Sequence, residues 1–198
     1  MPVFSMSKAI YIIMLLVTFS TAAQATEFKV TNAKISKIGN GYILDAAIKY
    51  PLTPRVEEAI ANGVPITFIQ DLEIIRDPAL PSSDWLGVNW FNDYLEKTLW
   101  TSQLHYELRY HALTQQFILH SIDTKQQRNF PSLFSALTAL GKINKLSLPP
   151  EHMTDTSTLL LRIRSGLDLY ALPTPMRPGA LISSKWDLTS QWKTVRWP

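Results

Sequence analysis

Residues 157–178 read STLLLRIRSGLDLYALPTPMRP and carry the clearest secondary-structure pattern in the chain. The odd positions of this stretch are apolar: Leu159, Leu161, Ile163, Leu167, Leu169 and Ala171. Because successive strand residues point to opposite faces, the alternation predicts a half-buried β-strand. A strand over residues 158–172 would measure roughly 50 Å, longer than an ordinary strand, so we expect a bend or bulge at Ser165 and Gly166. Proline at positions 173, 175 and 178 then ends it.

The rest of the chain after residue 26 shows the same period of two. Alternating runs cover residues 27–38, 42–50, 65–76, 104–111 and 186–197. After residue 114 the apolar parity changes to Phe117 and Leu119, which predicts a turn or bulge and a hairpin back through Ile122, whereas the polar residues 123–129 predict a loop. Two segments favour helices: residues 55–61 after Thr53 and Pro54, and residues 131–140 before Gly141. These elements predict a mainly β protein, an antiparallel β-sandwich-like domain with one or two short helices, with an α+β arrangement as the alternative.

The first 25 residues have the composition of a secretory signal peptide. Lys8 precedes an apolar run over residues 9–19, and Ala23-Gln24-Ala25 fits the small-residue cleavage rule. Cleavage near Ala25 would leave residues 26–198 as a single β-rich domain in the periplasm or outside the cell. The alternative is an uncleaved N-terminal helix that anchors the protein in the inner membrane.

Composition narrows the chemistry available to the protein. The chain has no cysteine, so disulfides, thiolate nucleophiles and cysteine-ligated metals are excluded. Its net charge is only +3 with no block of Lys or Arg, so no nucleic-acid partner is expected. The sequence contains no glycine-rich phosphate loop, nucleophile elbow, zinc-protease motif or dinucleotide fingerprint. We therefore predict no catalytic residue, no cofactor and no metal, and favour a non-enzymatic protein.

The polar face of one predicted strand leaves an enzyme as the alternative to a non-enzymatic protein. His105, Glu107, Arg109 and His111 share the outward side of residues 104–111. His105 and Glu107, about 7 Å apart, could begin a metal or acid–base site, but His111 would lie roughly 20 Å from His105. A solvated outer face explains the same pattern. Arg109 and His111 are the residues to test if the face binds a ligand.

A second candidate surface is cationic. Arg162, Arg164 and Asp168 occupy the even positions of the long predicted strand, and Arg177 follows it. The arginines could grip an anionic group or the carboxylates of a partner protein. They could equally form ion pairs with acidic residues on the neighbouring strand.

A third candidate is an aromatic patch in residues 77–100. Trp85, Trp90 and Phe91 lie there among Pro, Ser, Asn and Asp, and the segment has no clear period. The aromatic side chains could cover the core. If exposed, they would form a ligand-binding patch or a peripheral contact with the membrane.

Several short motifs resemble one known family. They are the run LRYHALT at 108–114 with Gln116, then Arg164, Leu167, Leu172-Pro173, Pro175 and Arg177, and finally Trp186, Leu188, Ser190 and Trp192. Together they resemble a family of uncharacterised proteobacterial exported proteins, the domain of unknown function numbered forty-three ninety, across roughly residues 28–197. The resemblance departs in residues 78–98, a stretch longer here than is usual in the family.

The family implies export and a single domain, and supplies no activity or site residue. It also implies neighbouring genes for a membrane sensor histidine kinase of the nitrogen-regulation type. We therefore hypothesise a binding or accessory module of the bacterial cell envelope. Its partner would be a protein or another envelope component, and that kinase is one candidate.

Overall fold

The computed structural model describes residues 27–77, 98–149 and 156–198, so the predicted signal peptide and the Trp85, Trp90 and Phe91 patch lie outside the described residues. The strands in these ranges are β1 (Lys29–Ile38), β2 (Gly41–Lys49), β3 (Ile66–Arg76), β4 (Thr98–His111), β5 (Gln116–Ser121), β6 (Gln126–Phe130), β7 (Lys142–Leu148), β8 (Leu159–Leu167) and β9 (Lys193–Arg196). The α-helices are α1 (Pro54–Ala61), α2 (Leu133–Leu140) and α3 (Arg177–Leu181). None of the helices in the described residues is long and apolar enough to cross a membrane.

The strands form two antiparallel sheets. One has three strands in the order β1-β2-β7, and the other has six in the order β6-β5-β4-β3-β8-β9. Every strand pair in both sheets is antiparallel. The prediction of a mainly β, sandwich-like fold with short helices is confirmed.

One hydrophobic core joins the two sheets. At its centre Phe28, just before β1, lies edge-on to Tyr50 with ring centroids 4.8 Å apart and stacks on Phe68 of β3 at 5.9 Å. Tyr50 and Phe68 are themselves 5.3 Å apart. Each ring comes from a different segment, so the cluster holds the three-stranded sheet onto the six-stranded one.

Both predicted helices are present and have clear end signals. The Thr53 side chain accepts a hydrogen bond from the backbone N–H of Val56, and Pro54 occupies the first turn of α1. In α2 the cap is Ser132, so Pro131 precedes the cap and does not open the helix as the sequence suggested. Gly141 is the C-cap of α2, and the position requires glycine because a Cβ atom there would lie 2.1 Å from the carbonyl oxygen of Ile48.

The predicted long strand is shorter and straighter than expected. β8 ends at Leu167 because the Asp168 carboxylate accepts hydrogen bonds from the backbone N–H groups of Tyr170 (2.9 Å) and Ala171 (3.2 Å), which closes a 3-10 turn. Its register with β3 is continuous past Ser165 and Gly166, so the bend predicted there is wrong. The irregularity lies instead in residues 190–192, just before edge strand β9.

Three further expectations differ from the structure. Residues 126–130 form edge strand β6 where a loop was predicted, because a strand exposed on both faces has no apolar alternation. β7 and α3 have no counterpart among the predicted elements. The last strand begins only at Lys193, and within residues 186–192 only Thr189 forms a bridge, which pairs it with Gly166.

Candidate functional site

Two arginines on the outer face of the six-stranded sheet pair with acids on the next strand. The β3–β8 register places Glu73 opposite Arg162 and Asp71 opposite Arg164. Arg162 forms an ion pair with Glu73, and the Arg164 Nη2 lies 2.9 Å from the Asp71 Oδ2. These are the cross-strand ion pairs that the sequence offered as one interpretation. Both guanidinium groups are therefore held in fixed positions.

Trp192 covers these two arginines. Gly166 bridges to Thr189 and Ile163 pairs with Lys193, so the three residues 190–192 lie opposite only two residues of β8. This extra residue is a β-bulge, which redirects a side chain from the strand's ordinary alternation. The Arg162 and Arg164 guanidinium carbons lie 4.9 and 4.5 Å from the Trp192 ring centroid. Cation–π attraction thus fixes the indole on the outer face.

A groove of about 530 Å³ runs beside the bulge. One wall is residues 27–30, at the start of β1, and the other is residues 190–193. β1 and β9 are each the last strand at one edge of their sheet in the described part of the chain. The groove therefore lies between two sheet edges, with Trp192 at its side.

A buried polar network anchors the bulge to the core. The Gln70 Nε2 donates to the Tyr50 hydroxyl (2.9 Å), which donates to the Ser165 Oγ (3.0 Å), which in turn donates to the Ile69 carbonyl (2.7 Å). The Ser165 backbone N–H donates to the Ser190 Oγ at 3.0 Å, and the Ser190 N–H donates to the Ser165 carbonyl at 2.7 Å.

Burial raises the pKa of Tyr50 to about 12, while the hydrogen bonds with Ser165 and Gln70 act in the opposite direction. The hydroxyl is neutral at physiological pH and able to donate. The network consequently holds Ser190, and with it one wall of the groove, at a fixed position.

Arg177 lies apart from this arrangement. It opens α3, and its Nε donates to the carbonyl of Leu172 at 2.6 Å. Asp168 caps the preceding 3-10 turn. The structure thus brings together Arg162 and Arg164, whereas Asp168 and Arg177 shape the loop that follows the strand.

The polar face of β4 is divided among separate contacts. The His105 Nδ1 lies 3.4 Å from the Asp123 Oδ1, the Arg109 Nε lies 3.8 Å from the Glu107 Oε1, and the His111 Nδ1 lies 3.0 Å from the Thr114 Oγ1. Within residues 27–77, 98–149 and 156–198, no group of three His, Asp or Glu side chains is placed to hold a metal ion. The polar residues of β4 therefore form a solvated face, and each makes a contact with a nearby side chain instead of joining a common site.

A family model for a domain of unknown function, DUF4390, matches residues 25–196. The chain belongs to DUF4390. The match covers every strand and helix of the described residues, including both walls of the groove. No curated protein and no solved structure matches the chain.

In this DUF4390 chain the groove offers binding chemistry. It presents the backbone at the start of β1 and at the bulge before β9, the aromatic residues Phe28 and Trp192, and the cations Lys29 and Lys193 against the single acid Glu27. Sequence reasoning placed Trp192 in a final strand and named Ser190 and Trp192 only as residues that carry the family resemblance. It assigned no structural role to Ser190 and did not identify Gln70. A buried Gln and Ser carry no pattern of their own, and their partners are distant in sequence.

Proposed function

We propose that this DUF4390 protein is an exported, non-enzymatic binding module of the bacterial cell envelope. Its groove between β1 and the β9 bulge receives an extended segment of a partner protein. The observation that carries the proposal is the meeting, at one groove beside a fixed tryptophan, of two sheet edges that no further strand of the described residues covers. Export rests on the composition of residues 1–25, with the mature chain in the periplasm or outside the cell.

An extended segment suits this groove because of its backbone. Edge strands present unpaired N–H and C=O groups, which a strand from another chain can satisfy by β-augmentation. Each wall is four residues long, a span of about 13 Å, which accommodates a strand of three to five residues. Trp192 supplies a side-chain contact that helps to define the register.

The charge of the groove walls indicates which kind of partner segment would bind. Lys29 and Lys193 outnumber Glu27 at the walls, so a segment that carries Asp or Glu is favoured over a basic one. Gln191 and Lys193 are exposed and available to such a segment. We expect the segment to belong to the extracytoplasmic part of a membrane protein, and the sensor histidine kinase implied by the family resemblance is the first candidate.

The test is affinity capture of the tagged full chain from crosslinked, solubilised envelope, with the captured proteins identified by mass spectrometry. Lys193→Glu should abolish the capture of one specific protein. Lys185→Glu is the matched control, because Lys185 is exposed but lies away from the groove. Recovery of the same protein by both variants would refute the groove as the binding site.

A further inference from the structure

The three-stranded sheet carries an excess of lysine on its outer face. Strands β1, β2 and β7 contain six lysines and a single acid, Asp45. Every one of these lysines is exposed. The strands contain no arginine, and their one aromatic residue, Tyr42, packs against Trp197 at 5.9 Å. The sheet therefore presents concentrated positive charge without side chains for stacking or forked hydrogen bonding.

Strand register places four of these lysines on one face. Their strand neighbours, Val30, Ile35, Ile48 and Ile143, are buried in the core, so the lysines point the other way. Lys29 lies directly opposite Lys49, Lys34 lies opposite Asp45, and Lys142 lies opposite Ala47. We call these four residues, Lys29, Lys34, Lys49 and Lys142, the lysine face.

In the part of the chain that the structure describes, few groups neutralise the lysine face. None of its four side chains forms an ion pair within the described residues. The Asp45 carboxylate accepts a hydrogen bond from the backbone N–H of Lys145 at 3.0 Å, and Lys145 adds a fifth exposed cation at the β7 bulge. Glu27 lies at the margin, before β1 begins. Like charges directly across a strand pair destabilise a sheet, so Lys29 and Lys49 together weaken the fold and strengthen the surface potential.

An exposed aromatic ring adjoins the face. Phe134 of α2 is 81% exposed. It lines a groove of about 390 Å³ together with Lys142 and Arg128, and no acid lines that groove. A large apolar side chain beside cations is the composition of a segment that lies in a membrane interface.

We propose that the lysine face and Phe134 contact the anionic surface of a phospholipid membrane. Lysine ammonium groups act as point charges, which suits a surface of mobile headgroups. A nucleic acid would be favoured by arginine forks and stacking aromatic rings, which these three strands lack. The proposal is independent of the groove at Trp192, because the two surfaces share only Lys29.

Co-sedimentation with vesicles tests the proposal. Each protein is expressed from the full chain, and the wild type and variants are compared after the same N-terminal processing. The wild type should bind vesicles that contain phosphatidylglycerol, bind phosphatidylcholine vesicles weakly, and lose affinity as salt rises. The double variant Lys34→Gln with Lys142→Gln should bind about 30-fold more weakly, because each lysine near an anionic surface contributes a little more than fivefold to the affinity. The matched control, Lys125→Gln with Lys185→Gln, removes two exposed lysines from other surfaces and should bind as the wild type does. Phe134→Ala should lower affinity by roughly tenfold.

Lys49→Glu separates binding from folding. Opposite Lys29 it replaces a repulsive pair with an attractive one, so the free energy of unfolding should stay equal or rise while vesicle binding falls more than fivefold. The proposal is overturned if the lysine-face and control double variants bind equally. It is also overturned if binding to anionic vesicles is insensitive to salt, or if the protein binds duplex DNA and no vesicle.

Discussion

Replacing Tyr50 with Phe should destabilise the protein at neutral pH and should remove a loss of stability at high pH. The hydroxyl accepts from Gln70 at 2.9 Å and donates to Ser165 at 3.0 Å inside the core. Its removal leaves two buried polar groups with one partner fewer. We expect Tyr50→Phe to lower the free energy of unfolding by about 1–3 kcal/mol at pH 7.

The sign of the pH effect follows from the raised pKa of Tyr50. Burial shifts this pKa from 10.0 to about 12, so the folded state holds the phenolic proton more tightly than the unfolded state does. The contribution is complete below pH 10 and is lost as pH rises from about 10 to about 12. At about 1.4 kcal/mol per pKa unit the loss reaches roughly 3 kcal/mol. In the Phe variant this loss is absent.

Urea unfolding followed by far-ultraviolet circular dichroism at pH 7, 10 and 11 would measure both effects. The gap in unfolding free energy between the wild type and Tyr50→Phe should narrow steadily above about pH 10. Tyr42→Phe is a control, because Tyr42 lies at the half-buried edge of the core against Trp197. A gap that stays constant from pH 7 to pH 11 would refute the buried, hydrogen-bonded state of Tyr50.

Further substitutions test other parts of the fold. Gly141→Ala should lower the free energy of unfolding by about 3 kcal/mol or prevent folding, because the new Cβ would meet the Ile48 carbonyl oxygen at 2.1 Å. Gly179→Ala in α3 is the control: its Cβ meets no atom within 4 Å, so thermal stability should stay unchanged or rise. Equal melting temperatures for the two variants would contradict this packing. Glu73→Gln should lower the urea midpoint by the equivalent of about 1–2 kcal/mol, because it leaves the half-buried Arg162 without its carboxylate. Thr101→Ala, opposite Glu73 on the same face, is the control and should leave the midpoint unchanged. Equal midpoints for these two would show that the Arg162 pair contributes nothing.

The strands that face the core on one side could be predicted from the sequence. Over the later part of β2 and the middle of β3 and β8, buried residues, most of them apolar, alternate with exposed or half-buried ones, so the period of two is visible. The edge strand β6 could not be predicted this way, since four of its five residues are exposed. The end of β8 was also missed, because it depends on the Asp168 side chain and not on the apolar pattern.

The candidate surfaces depend on register, which one sequence does not reveal. The Arg162 and Arg164 ion pairs were an available interpretation, but the acids involved could be named only once β3 was known to be the neighbour of β8. The lysine face is less visible still. Its members lie at positions 29, 34, 49 and 142, so no local run of basic residues exists, and the fold alone assembles them. Trp192 reaches the arginines only because of the bulge at residues 190–192.

Site-specific photo-crosslinking in cells tests the groove most directly. A photoreactive amino acid at Gln191, an exposed residue of the groove wall, should capture one protein partner when the full chain is expressed in its own envelope. The same amino acid at Gln127, exposed on edge strand β6 at the far side of the six-stranded sheet, should capture none. The adduct at Gln191 should also disappear when Lys193→Glu is introduced. Equal adducts at Gln191 and Gln127, or no adduct at Gln191, would contradict the assignment of this groove as the binding site.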